Sequence, residues 1–112
     1  MDCLFCKIIA GDIPARKAYE DDDILAFYDI SPAAPVHILL IPKAHIAGAD
    51  EITRENSGIA ARIFEAAAKL AQELKLERGL RIVTNIGEHG GQTVGHLHFH
   101  LLGGRQMSWP PG

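Results

Sequence analysis

The chain is poor in cysteine, in long apolar runs and in clustered positive charge, and each shortage removes a class of explanation. Two cysteines in 112 residues are too few for a disulfide-built scaffold. No apolar stretch approaches the ~18 residues that a membrane-spanning helix requires. Met1-Asp2-Cys3 lacks the basic and apolar regions of a secretion signal. The expectation is a cytoplasmic protein with no membrane partner. Lysine and arginine number 11 against 14 acidic residues, a formal charge of −3, and no basic patch gathers along the chain. A nucleic-acid partner is therefore not expected, although a nucleotide needs only a few donors. Repeats and linkers are also lacking. The length bounds one domain, residues 1–112, able to bury about two thirds of its unfolded surface.

What is present is concentrated near the C-terminus, in His96-Leu97-His98-Phe99-His100-Leu101-Leu102. Strict alternation at a period of two predicts a half-buried strand, with the histidines on one face and Leu97, Phe99 and Leu101 on the other. Same-face residues on a strand lie roughly 6.6 to 6.8 Å apart, so the three imidazoles are expected in a row and not as a cluster. Imidazole titrates near neutrality and serves as nucleophile, base or acid, and its neutral form binds transition metals. Two chemistries follow: a metal ion that activates water, held by His96, His98 and one other group, or covalent catalysis by one histidine supported by the others.

The remaining chain supplies a frame. Cys3 to Ala10 reads as a short helix stopped at Gly11-Asp12-Ile13-Pro14,. Arg16 to Glu20 and Ile24 to Tyr28 read as strands, joined by a solvated acidic tip,. Val36 to Ile41 is a strongly apolar central strand that carries His37 and closes at Pro42. Thr53 to Leu76 reads as the one long helix, with Ile59, Ile63, Ala67, Leu70 and Leu74 forming its apolar stripe and Gly79 ending it,. Leu80 to Ile86 makes a further strand. Gly87-Glu88-His89-Gly90-Gly91-Gln92-Thr93 is a glycine-rich loop whose backbone N–H groups suit an anion such as phosphate. Short connections between five strands and one long helix give an α+β class with an antiparallel sheet.

Cys3 and Cys6 form a Cys-x-x-Cys. At the start of the chain, without a strand before it, the pair reads better as a metal clip than as a redox pair, and zinc would need two further ligands.

Taken together, the residues resemble the histidine triad (HIT) family, and within it the Hint branch of purine nucleotide phosphoramidases. The resemblance rests on Phe27-Tyr28-Asp29-Ile30-Ser31-Pro32, Ile41-Pro42-Lys43-Ala44-His45-Ile46 and Gly90-Gly91-Gln92-Thr93-Val94. It continues through His96-x-His98-x-His100-Leu101-Leu102, Gly103-Gly104-Arg105-Gln106-Met107 and Trp109-Pro110-Pro111-Gly112. It implies the HIT fold: a five-stranded antiparallel sheet with one long and one short helix, dimerising into a continuous ten-stranded sheet. It implies a purine nucleotide (AMP or GMP) as ligand. The reaction it implies is hydrolysis of the P–N bond of nucleoside 5′-phosphoramidates through a covalent nucleotidyl-histidine.

By resemblance, His98 is the nucleophile, His100 contacts the phosphate oxygens or leaving group, and His37 supports them. Asn85, Gly91, Gln92 and Thr93 match phosphate-side contacts, and Asp29 matches the acceptor for the ribose hydroxyls. Phe5, Ile8, Phe27 and Ile30 match the apolar walls around the base, and Trp109 is expected to reach across the homodimer. The resemblance to some bacterial members implies a structural zinc on Cys3, Cys6, His45 and His96, with no cofactor required for catalysis. Many eukaryotic members have Ser where Thr93 stands, which keeps the hydroxyl. Two alternatives stay open: a nucleotide-binding regulatory module with incidental hydrolysis, and a dinucleoside polyphosphate hydrolase, against which the C-terminal tail argues.

Overall fold

The apolar segment Val36–Pro42 (β3) lies at the middle of the sheet and buries apolar side chains on both of its faces. The computed structural model describes residues 3–112; Met1 and Asp2, the first residues read above for a secretion signal, lie outside them. One antiparallel sheet runs in the order β1-β2-β3-β5-β4, from β1 (Lys17–Glu20) and β2 (Ile24–Tyr28) through β3 to β5 (Phe99–Gly103) and β4 (Leu80–Val83). A short helix α1 (Leu4–Ala10) and a long helix α2 (Gly58–Glu73) complete it.

Alternation along β2 and β3 divides the core in two. Ile24, Ala26, Ile38 and Leu40 pack with Leu97, Phe99 and Leu101 and with Ile63, Ala66, Ala67 and Leu70 of α2. Leu25, Phe27, Leu39 and Ile41 pack instead with Cys3, Phe5 and Ile8 on and beside α1. In the ladder, Leu39 stands opposite His100, and His37 stands opposite Leu102. Cross-strand partners share a face, so the histidines of β3 and β5 belong to the α1 side.

Several expected boundaries are corrected. The long helix begins at Gly58 and not Thr53, because Asn56 Oδ1 accepts the Thr53 N–H at 2.6 Å and the Ser57 hydroxyl donates to the Arg54 carbonyl at 3.3 Å. Such local side-chain bonds compete with helical ones. The helix ends at Glu73, before Gly79. The Lys75 N–H donates to the Gln72 carbonyl and the Leu76 N–H to Ala71, with Lys75 itself at φ 56°, a Schellman closure in which lysine stands where glycine is usual. The fourth strand stops at Val83 and not Ile86. At Thr84 the hydroxyl donates to the His98 carbonyl at 2.9 Å, replacing a ladder bond with a side-chain one.

The histidine strand is likewise shorter than expected, Phe99–Gly103 instead of His96–Leu102. The alternation of faces persists through residues 96–98, but both faces are covered there: His96 is wholly buried and His98 is 4% exposed.

A candidate active site beside a candidate metal centre

His37, His96 and His98 are each held by a main-chain group, and these groups decide where their protons sit. His98 Nδ1 lies 2.8 Å from the His96 carbonyl oxygen. A carbonyl only accepts, so Nδ1 carries the hydrogen and Nε2 keeps a lone pair. Among the described residues that Nε2 has no hydrogen-bond partner, while every fully buried side-chain nitrogen or oxygen does have one. The lone-pair edge of an otherwise buried ring therefore opens to solvent.

The neighbouring pair has the opposite polarity. The Ala33 N–H donates to His37 Nδ1 at 3.0 Å, which puts the His37 hydrogen on Nε2,. That N–H donates to His100 Nδ1 at 2.9 Å, leaving His100 with its hydrogen on Nε2. The result is a lone pair on His98 beside an N–H on His100, the two rings 5.1 Å apart. Burial pushes the His37 pKa below its usual value of 6.5, against the Asp29 carboxylate 3.5 Å away, which pulls it up. Burial also lowers His100, assisted by His98 and His37. Both causes favour the neutral rings that this tautomer pattern requires.

The expected even row of three imidazoles is not what forms. His98, His100 and His37 make a bent chain with centroid separations of 5.1 and 5.2 Å, tighter than strand spacing because the rings lean toward one another and His37 enters from β3. His96 turns away into a different group. Its Nε2–H donates to the Pro42 carbonyl at 2.8 Å, so its Nδ1 lone pair faces Cys3 Sγ at 3.4 Å, Cys6 Sγ at 3.6 Å and His45 Nδ1 at 3.1 Å. Cys6 Sγ lies 3.3 Å from His45 Nδ1.

These spacings can be set against a metal. Bonds of about 2.1 Å to nitrogen and 2.3 Å to sulfur at tetrahedral angles require ligand atoms roughly 3.3 to 3.8 Å apart, close to what is observed. All four donor atoms lie within 4.8 Å of one another. The Cys6 N–H donates to Cys3 Sγ at 3.3 Å, and the two thiols head the first turn of α1, with Cys3 as its N-cap. Burial pushes the Cys6 thiol up, and its hydrogen bond with Cys3 adds to this, a penalty that a bound cation reverses. The donor set fits zinc. A water-activating metal on His96 and His98 together is not supported, since among the described residues His98 joins no cluster of metal-ligating groups.

Phe5, in the first turn of α1, connects the two sites. Its ring meets His98 edge-on at 5.2 Å, His96 at 6.0 Å and Phe27 at 5.5 Å. With Ile8 buried beside them, three of the four expected apolar wall residues come together. Ile30 does not join them: it is 99% exposed, on the bend after β2. Asp29 is placed by the His37 carbonyl, which accepts its N–H at 3.0 Å, and its Oδ1 caps Ser31 N–H at 2.8 Å.

In the glycine-rich loop Gln92 acts as an internal brace. Its amide donates to the Ala47 and Val94 carbonyls at 2.7 and 3.0 Å, and its oxygen accepts the Gly87 N–H at 3.0 Å. Gly87 and Gly91 take left-handed conformations, at φ 71° and 83°. Thr93 is exposed on this loop and Asn85 is half-buried just beyond β4. Trp109 is 81% exposed on a tail that Arg81 ties down through the Ser108 carbonyl at 2.9 Å. The groups that sequence reading missed are mostly main-chain ones, the Ala33 N–H and the Pro42 and His96 carbonyls, which leave no mark in a side-chain pattern.

A family model described as the HIT domain matches residues 10–107. A 14 kDa zinc-binding protein of Brassica juncea is 48% identical over 113 residues, spanning 99% of this chain and 100% of that protein. Adenylylsulfatase HINT1 of Arabidopsis thaliana is 47% identical over 111 residues, spanning 97% of this chain and 76% of that protein. The crystal structure of a HIT family hydrolase from Legionella pneumophila is 54% identical, with a TM-score of 0.97 over 99% of this chain and 100% of that one.

Proposed function

This chain belongs to the HIT domain family, and from that premise we propose that it hydrolyses purine nucleoside 5′-phosphoramidates through a nucleotidyl-His98 intermediate. The observation that carries the proposal is the pairing of opposite tautomers, a lone pair at His98 Nε2 beside an N–H at His100 Nε2. One end of that pair suits an attack on phosphorus and the other suits an oxygen or nitrogen that gains charge.

In the first half-reaction His98 Nε2 bonds to phosphorus as the P–N bond breaks. The departing amine takes its proton from solvent, while the neutral His100 Nε2–H hydrogen-bonds to the nitrogen as it gains charge. Positive charge on the nucleotidyl-imidazole stays at Nδ1–H, held by the His96 carbonyl. In the second, water attacks phosphorus, loses one proton to solvent, and the P–Nε2 bond breaks to release AMP and return the lone pair to His98. His37 holds His100 in the correct tautomer throughout, and Asp29 tempers the charge between them. Phe5, Ile8 and Phe27 form the apolar seat for the base. Asn85, Gly91, Gln92 and Thr93 are proposed on the phosphate side, with Gln92 serving chiefly to shape its loop.

Zinc on Cys3, Cys6, His45 and His96 would cross-link α1 to the sheet as a structural ion, and no step of the chemistry passes through it. A second copy of the chain is proposed against the β4 edge, beside which Arg81 holds the tail with its exposed Trp109, and Trp109 is proposed to reach the other copy's nucleotide.

The relative named adenylylsulfatase favours a second substrate, adenylyl sulfate. It presents the same adenylyl group to His98 with a leaving group that needs no proton. Rapid quenching during turnover of adenosine 5′-phosphoramidate, followed by peptide mass spectrometry, tests the proposal. An adenylyl group mapped to His98 and absent from His98→Gly is the expected result. Turnover by His98→Gly at the wild-type rate would overturn it.

A further inference from the structure

Arg105 stands outside the site, on the turn after β5, yet it holds the residue that fixes the His37 proton. Its Nε and Nη2 donate to the Ala33 carbonyl at 3.3 and 3.1 Å, and its Nη1 donates to the Gln106 carbonyl at 3.1 Å. Ala33 in turn donates its own N–H to His37 Nδ1 at 3.0 Å. Resting on the reading of His98 and His100 given above, we infer that Arg105 is a positioning residue which, through Ala33, keeps the His100 Nε2 hydrogen aimed at the leaving group.

Three links run in sequence. The guanidinium fork fixes Ala33 by a charged, two-pronged bond to one oxygen. Ala33 fills His37 Nδ1 and forces the hydrogen to Nε2. His37 Nε2–H fills His100 Nδ1 at 2.9 Å and forces the His100 hydrogen outward. Without the fork, the segment Asp29–Pro35 is free to withdraw the Ala33 N–H, and His37 then gains the alternative of carrying its hydrogen on Nδ1. A His37 of that kind presents a lone pair to His100, which turns its own hydrogen inward and offers the leaving group nothing.

The turn geometry serves the same end. Gly104 takes φ 88°, and a Cβ there would lie 2.9 Å from Pro35 Cβ, so only glycine lets Arg105 come this close over the loop. His98 is untouched by this route, since its tautomer is set by the His96 carbonyl. The effect of losing Arg105 must therefore depend on how much charge the leaving nitrogen gains.

The test compares wild type, Arg105→Ala and Arg105→Lys on two adenosine phosphoramidates, one of an alkylamine and one of an arylamine, alongside ¹⁵N spectra of the imidazoles with His37 assigned by its Asn variant. In Arg105→Ala, kcat for the alkylamine substrate should fall about tenfold further than for the arylamine. The His37 signals should shift from Nε2–H toward a mixture, with an unchanged melting curve and partial recovery in Arg105→Lys. Equal losses on both substrates, or His37 signals identical to wild type, would overturn the inference. Because the spectra need no turnover, they decide the Arg105 link even if wild type proves inactive on phosphoramidates, an outcome that would count against the proposed reaction instead.

Discussion

The carbonyl oxygen of His96 and the Nδ1–H of His98 lie 2.8 Å apart, while the side chain of the same His96 faces two cysteines and a third histidine. One residue thus has its side chain in the candidate metal group and its main chain against the proposed nucleophile. Anything that loosens the first is felt by the second.

Metal removal should show this. The purified protein is expected to carry one zinc per chain by elemental analysis, and Cys3→Ser should lose it. Melting of the metal-free protein should come about 10 °C lower, corresponding to roughly 2 kcal/mol. A stoichiometric ion whose removal leaves the melting curve in place would contradict the structural role.

His37→Ala should reduce kcat toward alkylamine phosphoramidates by about 10²-fold, the usual scale of a lost preorganised hydrogen-bond donor, while AMP affinity changes little. Steady-state kinetics with a parallel calorimetric titration separate the two quantities. A loss confined to affinity would move His37 from chemistry to binding.

Stability should depend on pH in a stated direction. Burial lowers the folded-state pKa of His37 and His100 below the usual 6.5, so between those lowered values and 6.5 the unfolded chain binds more protons. Stability from these groups is complete above about pH 6.5 and declines as pH falls through that window. Urea unfolding of the metal-free protein between pH 7.5 and 5 measures it, and a flat or rising trend on acidification would be the wrong sign.

Gly90→Ala should distort the phosphate-side loop, because a Cβ there would meet the Ile86 carbonyl oxygen at 2.3 Å. AMP binding by calorimetry is expected to weaken about tenfold, and unaltered binding would place the phosphate elsewhere. Leu101→Ala, at a wholly buried position beneath α2, should cost about 2–5 kcal/mol in denaturant unfolding.

Much of this was legible in the chain, and the reasons are specific. Val36–Ile41 is apolar at every second position twice over, except at His37, so a central strand was readable. The stripe Ile63, Ala67 and Leu70 fixed which side of α2 is buried. The three alternating histidines, with Leu97, Phe99 and Leu101 between them, announced their faces correctly. What alternation could not convey was depth, since His96 and His98 are covered by α1, whose position depends on contacts some ninety residues away in sequence. The end of the fourth strand depends on one hydroxyl, Thr84, whose preference for the His98 carbonyl is a tertiary fact. Ile30 had the residue type of a wall, but its place on the bend after β2 keeps it out of the cluster.

The division of the sheet into an α2 side and an α1 side has a practical meaning for anyone redesigning the protein. Neighbouring positions on one strand, such as Leu101 and His100, answer to different demands, so thermal tolerance can be bred on one side while leaving-group preference is bred on the other. Libraries built on Ile38, Leu40, Ile63 and Leu70 should yield sturdier enzymes of unaltered selectivity, and libraries around Phe5 and Ile8 should yield the reverse.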